Sequence, residues 1–182
     1  MLAVNVICIG KLKEEYWRKA CEEYAKRLST FCKLQIIELA ETKISDNPSP
    51  AQIAQVIESE GERILAKLPA GGAVIPLCIE GKLVDSPEMS DLLQKIPLEG
   101  KSTVSFIIGG SYGLSEAVKQ TGAMRLSMSK MTFPHQMARV MLLHLGCKKK
   151  QNSWLSSARS SSPSSSCCSL SSLSMVGSKR CR

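Results

Sequence analysis

The chain has 182 residues, of which 43% are hydrophobic, 22% charged and 4% aromatic. This length suits one domain, or one domain with an appendage, and the apolar share excludes wholesale disorder. The sequence has no run of 18 apolar residues, and its first ten residues lack a signal-peptide pattern. We therefore expect a cytoplasmic protein with no membrane partner.

The net charge of +8 is unevenly distributed along the chain. Residues 1–143 contain 17 Lys and Arg against 16 Asp and Glu, a net charge of +1, whereas the remainder has seven basic residues and no acidic one. From Gln151 onward, 14 of 32 residues are Ser. Because such a composition is typical of a solvated tail, we predict a folded domain at 1–146 and a disordered basic tail at 147–182.

Apolar and amphipathic stretches alternate along the first 143 residues. We expect strands at 2–9, 34–39, 73–79, 104–108 and 124–128. Between them we expect helices at 16–28, after the turn at 47–50, at 87–96 and at 115–120, with a last helix that begins at His135 and is capped by Gly146. This alternation predicts an α/β fold with a mostly parallel sheet and helices on both of its faces.

Residues 108–114 are the first candidate site, because they follow the fourth expected strand directly. Ligands of parallel sheets bind at the carboxyl ends of strands, and glycines such as Gly109 and Gly110 let the backbone approach a ligand closely. The segment matches neither the dinucleotide-binding pattern nor the P-loop. By itself it is either a ligand-binding turn or only a turn.

Residues 126–140 are the second candidate, with a short strand, a loop and a helix start. His135 and Arg139 are four residues apart and share one face of the helix, whose N-terminus favours anionic groups. That face would bind a phosphate or a carboxylate. The alternative is a solvated polar face opposite a core stripe of Met137, Val140 and Met141. The eight cysteines include no C-x-x-C pair, so we expect no metal site.

Together, the two candidate segments resemble the ribosomal RNA large subunit methyltransferase H family. The resemblance is carried by Phe106-Ile-Ile-Gly-Gly-Ser-Tyr-Gly-Leu114 and by Leu126-Ser-Met-Ser-Lys-Met-Thr-Phe-Pro-His-Gln-Met-Ala-Arg-Val140. Residues 4–10 and Glu60-Gly-Glu-Arg-Ile-Leu65 are also similar to the family. The resemblance spans about residues 1–143.

This resemblance implies a SPOUT-class α/β fold with a C-terminal trefoil knot, and a homodimer. It also implies that S-adenosyl-L-methionine is used to methylate N3 of a pseudouridine in large-subunit rRNA, within assembled ribosomes. The residues that would bind the cofactor are Leu77, Gly109, Gly110, Met128, Ser129, Lys130, Met131, Thr132 and Phe133. His135 would accept or orient a proton, and Arg139 would be a stabilising cation that faces the substrate or the cofactor carboxylate.

The resemblance ends abruptly at Leu143. The family continues its last helix with a Glu-Gln-Ile-Tyr-Arg-Ala-like sequence and a short tail, whereas this chain continues with Lys-rich and Ser-rich sequence. The break suggests a frame change in the coding sequence, and it affects knot closure, dimer contacts and substrate-side residues. Three functions therefore stay open: an active methyltransferase, the same fold with impaired catalysis, and a noncatalytic RNA-binding or ribosome-binding protein.

Overall fold

The computed structural model describes residues 1–147, so the predicted tail, but for its first residue, lies outside the described residues. Strands and helices alternate along this part of the chain, as the apolar pattern predicts. In chain order they are β1 (Ala3–Ile9), α1 (Glu15–Leu28), β2 (Lys33–Leu39), α2 (Pro50–Leu65), β3 (Ala73–Leu83), α3 (Ser86–Leu98), β4 (Thr103–Ile108), α4 (Glu116–Thr121), β5 (Leu126–Ser127) and α5 (His135–Cys147).

The five strands form one sheet in the order β2-β1-β4-β3-β5, and every pair of neighbours is parallel. All carboxyl ends therefore meet at one edge, which we call the carboxyl edge. Each connection is a crossover through a helix, as parallel strands require. The predicted fold class, α/β with a parallel sheet, is confirmed.

Helices cover both faces of the sheet, so β1 buries alternate side chains in two separate cores. Val6 and Cys8 belong to one core, which includes residues of α1, α3 and α5. Ile7 and Ile9 belong to the other, which includes residues of α2 and α4. A strand that is buried on both faces reads as a continuous apolar run, and this is why residues 2–9 are recognisable in the sequence.

Two strands differ from their predicted lengths for one shared reason. The third continues to Leu83 instead of ending at Ile79, and the fifth shrinks to Leu126–Ser127. The register between β3 and β5 shifts between Leu77 and Lys82, so β5 pairs with both parts of an irregular strand. A side chain on Gly81 would lie 2.6 Å from the Leu126 backbone, so glycine permits this close approach.

Helix α5 buries a different face from the one that its apolar residues suggest. Met137 is 36% exposed, whereas Arg139 is fully buried together with Leu143. Gly146 does not cap the helix, because it lies within it. A side chain on Gly146 would lie 3.1 Å from the Leu28 side chain, so glycine lets α5 pack closely on α1.

None of the helices in residues 1–147 has the length and apolar content that a membrane span needs. The trefoil knot stays a prediction.

Candidate active site

A cleft of about 910 Å³ opens at the carboxyl edge of the sheet. Its walls are the end of β3, the glycine loop (residues 109–113) that follows β4, the segment 127–134 and the first turn of α5. Nine of the eleven predicted site residues line it: Leu77, Gly109, Gly110, Met128, Ser129, Met131, Thr132, Phe133 and His135. The other two, Lys130 and Arg139, do not line it.

The glycine loop is a tight turn that its own backbone holds together. Gly113 donates a backbone hydrogen bond of 3.2 Å to the carbonyl of Gly110 and has a φ of +88°, a conformation that favours glycine. A side chain on Gly109 would lie 2.7 Å from the Gly113 carbonyl oxygen. Glycine is thus required at both positions by the turn, which leaves backbone groups exposed to the cleft.

Gly110 differs from its neighbours in what a side chain would meet. A Cβ atom there would lie 3.0 Å from Glu60 Oε2 and 3.0 Å from Ile9 Cγ2, both of them parts of the protein. Gly110 lines the cleft, so its close approach to a ligand stays a prediction. Its missing side chain also makes room for Glu60 and Ile9.

Two serine hydroxyls form hydrogen bonds with the backbone of the segment 127–131. The Ser127 hydroxyl donates to the carbonyl of Ser129 at 2.9 Å, and the Ser129 hydroxyl accepts from the Met131 backbone at 3.1 Å. Met131 is 69% exposed, and Lys130 is exposed as well. The segment therefore combines local hydrogen bonds to its backbone with an apolar side chain at the rim of the cleft.

An ion-pair cluster borders the cleft through Lys119 and Glu80. Lys119 Nζ lies 2.6 Å from Glu80 Oε1 and 2.9 Å from Glu116 Oε1. The hydrogen bond from Lys119 lowers the pKa of Glu80, and the bonds to both carboxylates raise the pKa of Lys119. Glu80 and Lys119 therefore carry their charges at neutral pH, and they add charged side chains to the apolar lining of the cleft.

His135, at the start of α5, has its ring packed against Gly10. A side chain on Gly10 would lie 3.0 Å from Nε2, which is buried and has no hydrogen-bond partner among the described residues. Burial lowers the pKa of His135 below its ordinary value of 6.5, and the nearby charge of Arg139 lowers it further. The imidazole is therefore neutral at pH 7.

Arg139 is placed differently from the surface position that its spacing suggests. It has no exposed area, and its guanidinium donates to Glu38 Oε1 at 2.5 Å and to the Gly10 carbonyl at 3.0 Å. Helical periodicity assigns charged residues to the solvent side, but an arginine is buried readily when a carboxylate pairs with it. The contacts tie α5 to the ends of β1 and β2, beside His135.

Several residues that shape the site were not predicted from the sequence. Glu38, Glu41 and Glu60 come from β2, the segment after it and α2, and each contacts a residue of the cleft or of α5. Their partners lie far away in sequence, so neither spacing nor periodicity could identify them. A carboxylate within an otherwise apolar run, as at Glu38, was the one available signal.

The described residues include no group of three or more His, Cys, Asp or Glu side chains arranged to hold a metal ion. The cysteines at positions 8, 21 and 32 are buried and reduced. Burial raises the pKa of the Cys8 thiol to about 12, which makes it an unreactive part of the core.

The chain is similar to known methyltransferases over its first four fifths. Ribosomal RNA large subunit methyltransferase H of Clostridium botulinum strain Kyoto is 48% identical over 140 residues, which cover 77% of this chain and 88% of that protein. The protein of the same name from Oenococcus oeni is 42% identical over 142 residues, 78% of this chain and 89% of that protein.

Among solved structures, the SpoU methyltransferase AviRb from Streptomyces viridochromogenes, in complex with AdoMet, matches with a TM-score of 0.40 and 13% identity. The match covers 82% of this chain and 58% of that one, and it is too remote to bear on the site. The family model described as "Predicted SPOUT methyltransferase" matches residues 2–144 and ends one residue past Leu143, where the resemblance breaks off. The chain belongs to the SPOUT methyltransferase family.

Proposed function

We propose that this chain transfers a methyl group from S-adenosyl-L-methionine to N3 of a pseudouridine in large-subunit rRNA, within assembled ribosomes. The observation that carries the proposal is the cleft at the carboxyl edge, in which nine residues assigned from the family resemblance come together. The relatives named rRNA methyltransferases support the choice of RNA.

The residues of the cleft suit S-adenosyl-L-methionine. Its volume falls in the range of small-molecule sites, about 300 to 1,000 Å³, and it combines apolar side chains with exposed backbone groups. Leu77, Met128 and Phe133 would pack on the adenine, and backbone groups of the glycine loop and of the segment 128–133 would hydrogen-bond it. When bound, this cofactor supplies a methyl group that its positively charged sulfur already activates for displacement.

His135 is our candidate for the proton acceptor. N3 of the base must lose a proton as it becomes methylated, and a neutral imidazole accepts one. Because Nε2 is buried against Gly10, we assign proton acceptance to Nδ1. The lowered pKa keeps the ring neutral, and so ready to accept a proton, at pH 7.

Arg139 acts in this proposal through His135. Its guanidinium has no exposed area, so it touches neither substrate nor cofactor; it fixes the first two turns of α5 against β1 and β2. This replaces the role of a substrate-facing cation that the resemblance implies. The exposed side chain of Lys130, outside the cleft, suits an RNA phosphate.

A second copy of the chain is part of the proposal. Three side chains of the cleft are apolar yet exposed, namely Ile79 at 56%, Tyr112 at 38% and Met131 at 69%. An apolar rim around a site is typical of a surface that another protein covers. In a homodimer, the partner would cover this rim and shield the reaction from water.

Two measurements test the proposed function. S-adenosylhomocysteine should bind the chain in calorimetry, and ribosomes from a strain without the modification should accept a labelled methyl group. His135→Ala should lower the rate of transfer about 100-fold or more and leave cofactor affinity nearly unchanged. His144→Ala is the matched control, since His144 lies on the same helix but packs on Tyr24, and it should react at the normal rate.

Two results would contradict the proposal. Failure of S-adenosylhomocysteine to bind would exclude the cofactor assignment and favour a noncatalytic protein that binds RNA or ribosomes. Binding without methyl transfer to any ribosome would instead indicate a methyltransferase fold with impaired catalysis.

A further inference from the structure

Glu60 and Gly61, consecutive residues of α2, lie directly behind the glycine loop. Glu60 is a charged residue with only 4% of its surface exposed, a rare placement that requires partners. Its Oε1 accepts a hydrogen bond of 2.9 Å from the Thr42 backbone. Its Oε2 faces Gly110, where an added Cβ would lie 3.0 Å away. The carboxyl group therefore touches two segments of the carboxyl edge at once.

Gly61 makes a second, independent contact with the segment that follows the loop. A Cβ on Gly61 would lie 2.3 Å from Ser115 Oγ, so only glycine allows α2 to approach this closely. Ser115 is itself the N-cap of α4, and its hydroxyl accepts from the Val118 backbone at 3.3 Å. Helix α2 thus supports the glycine loop near its start and just after its end.

The segment 40–42 completes the arrangement from the other side. Arg63, one turn after Glu60, donates to the carbonyl of Ala40 at 2.5 Å and to the Thr42 hydroxyl. Between these fixed points, Glu41 Oε1 accepts a hydrogen bond of 2.9 Å from the Ser111 hydroxyl. Contacts thus join α2 to the segment 40–42 and that segment to Ser111. Glu60 of α2 also lies against Gly110, the residue before Ser111.

We propose that Glu60 is a positioning residue, which holds the glycine loop in its cofactor-binding shape before the cofactor arrives. It faces the back of the loop and acts through Gly110 and Thr42. A loop that is already ordered loses less conformational entropy on binding, so the ligand binds more tightly with no new contact. This inference rests on the proposed function in so far as the cleft binds S-adenosyl-L-methionine.

The test compares three variants of the full chain by amide hydrogen exchange and by calorimetry with S-adenosylhomocysteine. Glu60→Ala should speed exchange in the glycine loop and weaken cofactor binding about tenfold, with KM for the cofactor rising more than kcat falls. Glu60→Gln, whose amide oxygen still accepts from Thr42, should recover much of the loss. Glu58→Gln, exposed on the same helix, is the control and should behave as the parent chain.

A double-mutant cycle separates positioning from general destabilisation. Glu60→Asp, whose shorter side chain withdraws the carboxylate from Thr42 and Gly110, and Ser111→Ala act on the same series of contacts from opposite ends, so their effects on cofactor affinity should be less than additive. This cycle also serves if Glu60→Ala fails to fold. Additive effects, or a folded Glu60→Ala variant with the exchange and affinity of the control, would overturn the proposal. Absence of cofactor binding in the parent chain would refute the proposed function instead, and loop exchange would still test Glu60.

Discussion

Arg139 carries a charge at a position with no exposed area. We predict that Arg139→Ala destabilises the fold by about 3 kcal/mol, because it leaves the Glu38 carboxylate and the Gly10 carbonyl without their donor. Urea unfolding followed by circular dichroism measures the loss. Methyl transfer should fall with it, since α5 then loses its attachment beside His135.

Lys19→Ala is the control for this prediction. Lys19 forms an ion pair with Glu15 on the surface of α1, with 72% of its side chain exposed, and such pairs contribute under about 1 kcal/mol. If the two variants unfold at the same urea concentration, Arg139 does not anchor α5.

The lowered pKa of His135 makes the stability of the fold depend on pH. In the folded protein the pKa lies below 6.5, whereas in the unfolded chain it returns to about 6.5. Between these two values the unfolded state binds more protons, so the free energy of unfolding decreases as the pH falls through this window. Stability contributed by the neutral ring is present above pH 6.5 and is lost below it.

We predict that His135→Gln removes this part of the pH dependence. The free energies of unfolding of the parent chain and the variant, measured in urea at pH 7.5 and pH 5.5, should converge at the lower pH. The acid limb of kcat/KM in the parent chain should lie below pH 6.5 for the same reason. An acid limb above pH 6.5 would mean that another group accepts the proton.

At the scale of elements, the turn between β4 and α4 is fitted closely to its surroundings. We predict that Gly110→Val weakens S-adenosylhomocysteine binding at least tenfold, about 1.4 kcal/mol, because the new side chain displaces the loop from Glu60 and Ile9. Calorimetry on the folded variant measures the effect. An unchanged affinity would show that the loop tolerates the shift.

The order and type of the elements could be predicted from the sequence because each buries an apolar face with a local period. The capping of α3 by Asp85 was predictable for a similar reason, since its partner Glu88 is three residues away. The buried face of α5 could not be predicted in this way. Arg139 is buried in place of Met137 because it pairs with Glu38, which lies 101 residues away in the sequence. Pairing across the sheet likewise decides where β3 and β5 end.

The candidate site divides in the same way. Nine residues that line the cleft were assigned from the family resemblance, because they lie in or beside the segments that carry it. The side chains behind the cleft, such as Glu60, Arg63 and Glu41, belong to other elements, and only the fold brings them to the glycine loop. The sequence thus identified part of the cleft lining, but neither its ion pair of Lys119 and Glu80 nor the side chains behind it.

At the scale of the whole molecule, the end of the family match is the feature with the largest expected effect on activity. The match ends at residue 144, close to the end of α5 at Cys147. We predict that replacing the residues after Leu143 with a family-like ending tightens dimerisation and speeds methylation of ribosomes. A family-like ending supplies apolar contacts between the subunits of the proposed dimer.

Sedimentation and single-turnover methylation of both chains test this prediction. A matched control chain, cut after Cys147, separates the gain of the new ending from the removal of the basic one. Equal sedimentation and equal turnover in the parent and the family-like chain would show that the replaced ending is harmless.

The strand order also determines when the sheet can form. Val4 of β1 pairs with Leu34 on one side and with Val104 on the other, and the second partner follows 100 residues later in the chain. At about 5 to 20 residues per second, a ribosome leaves that edge of β1 open for roughly 5 to 20 seconds. During this time its backbone donors and acceptors are available to other strands. Strand β1, an interior strand of the finished sheet, therefore keeps one side unpaired until β4 has been synthesised.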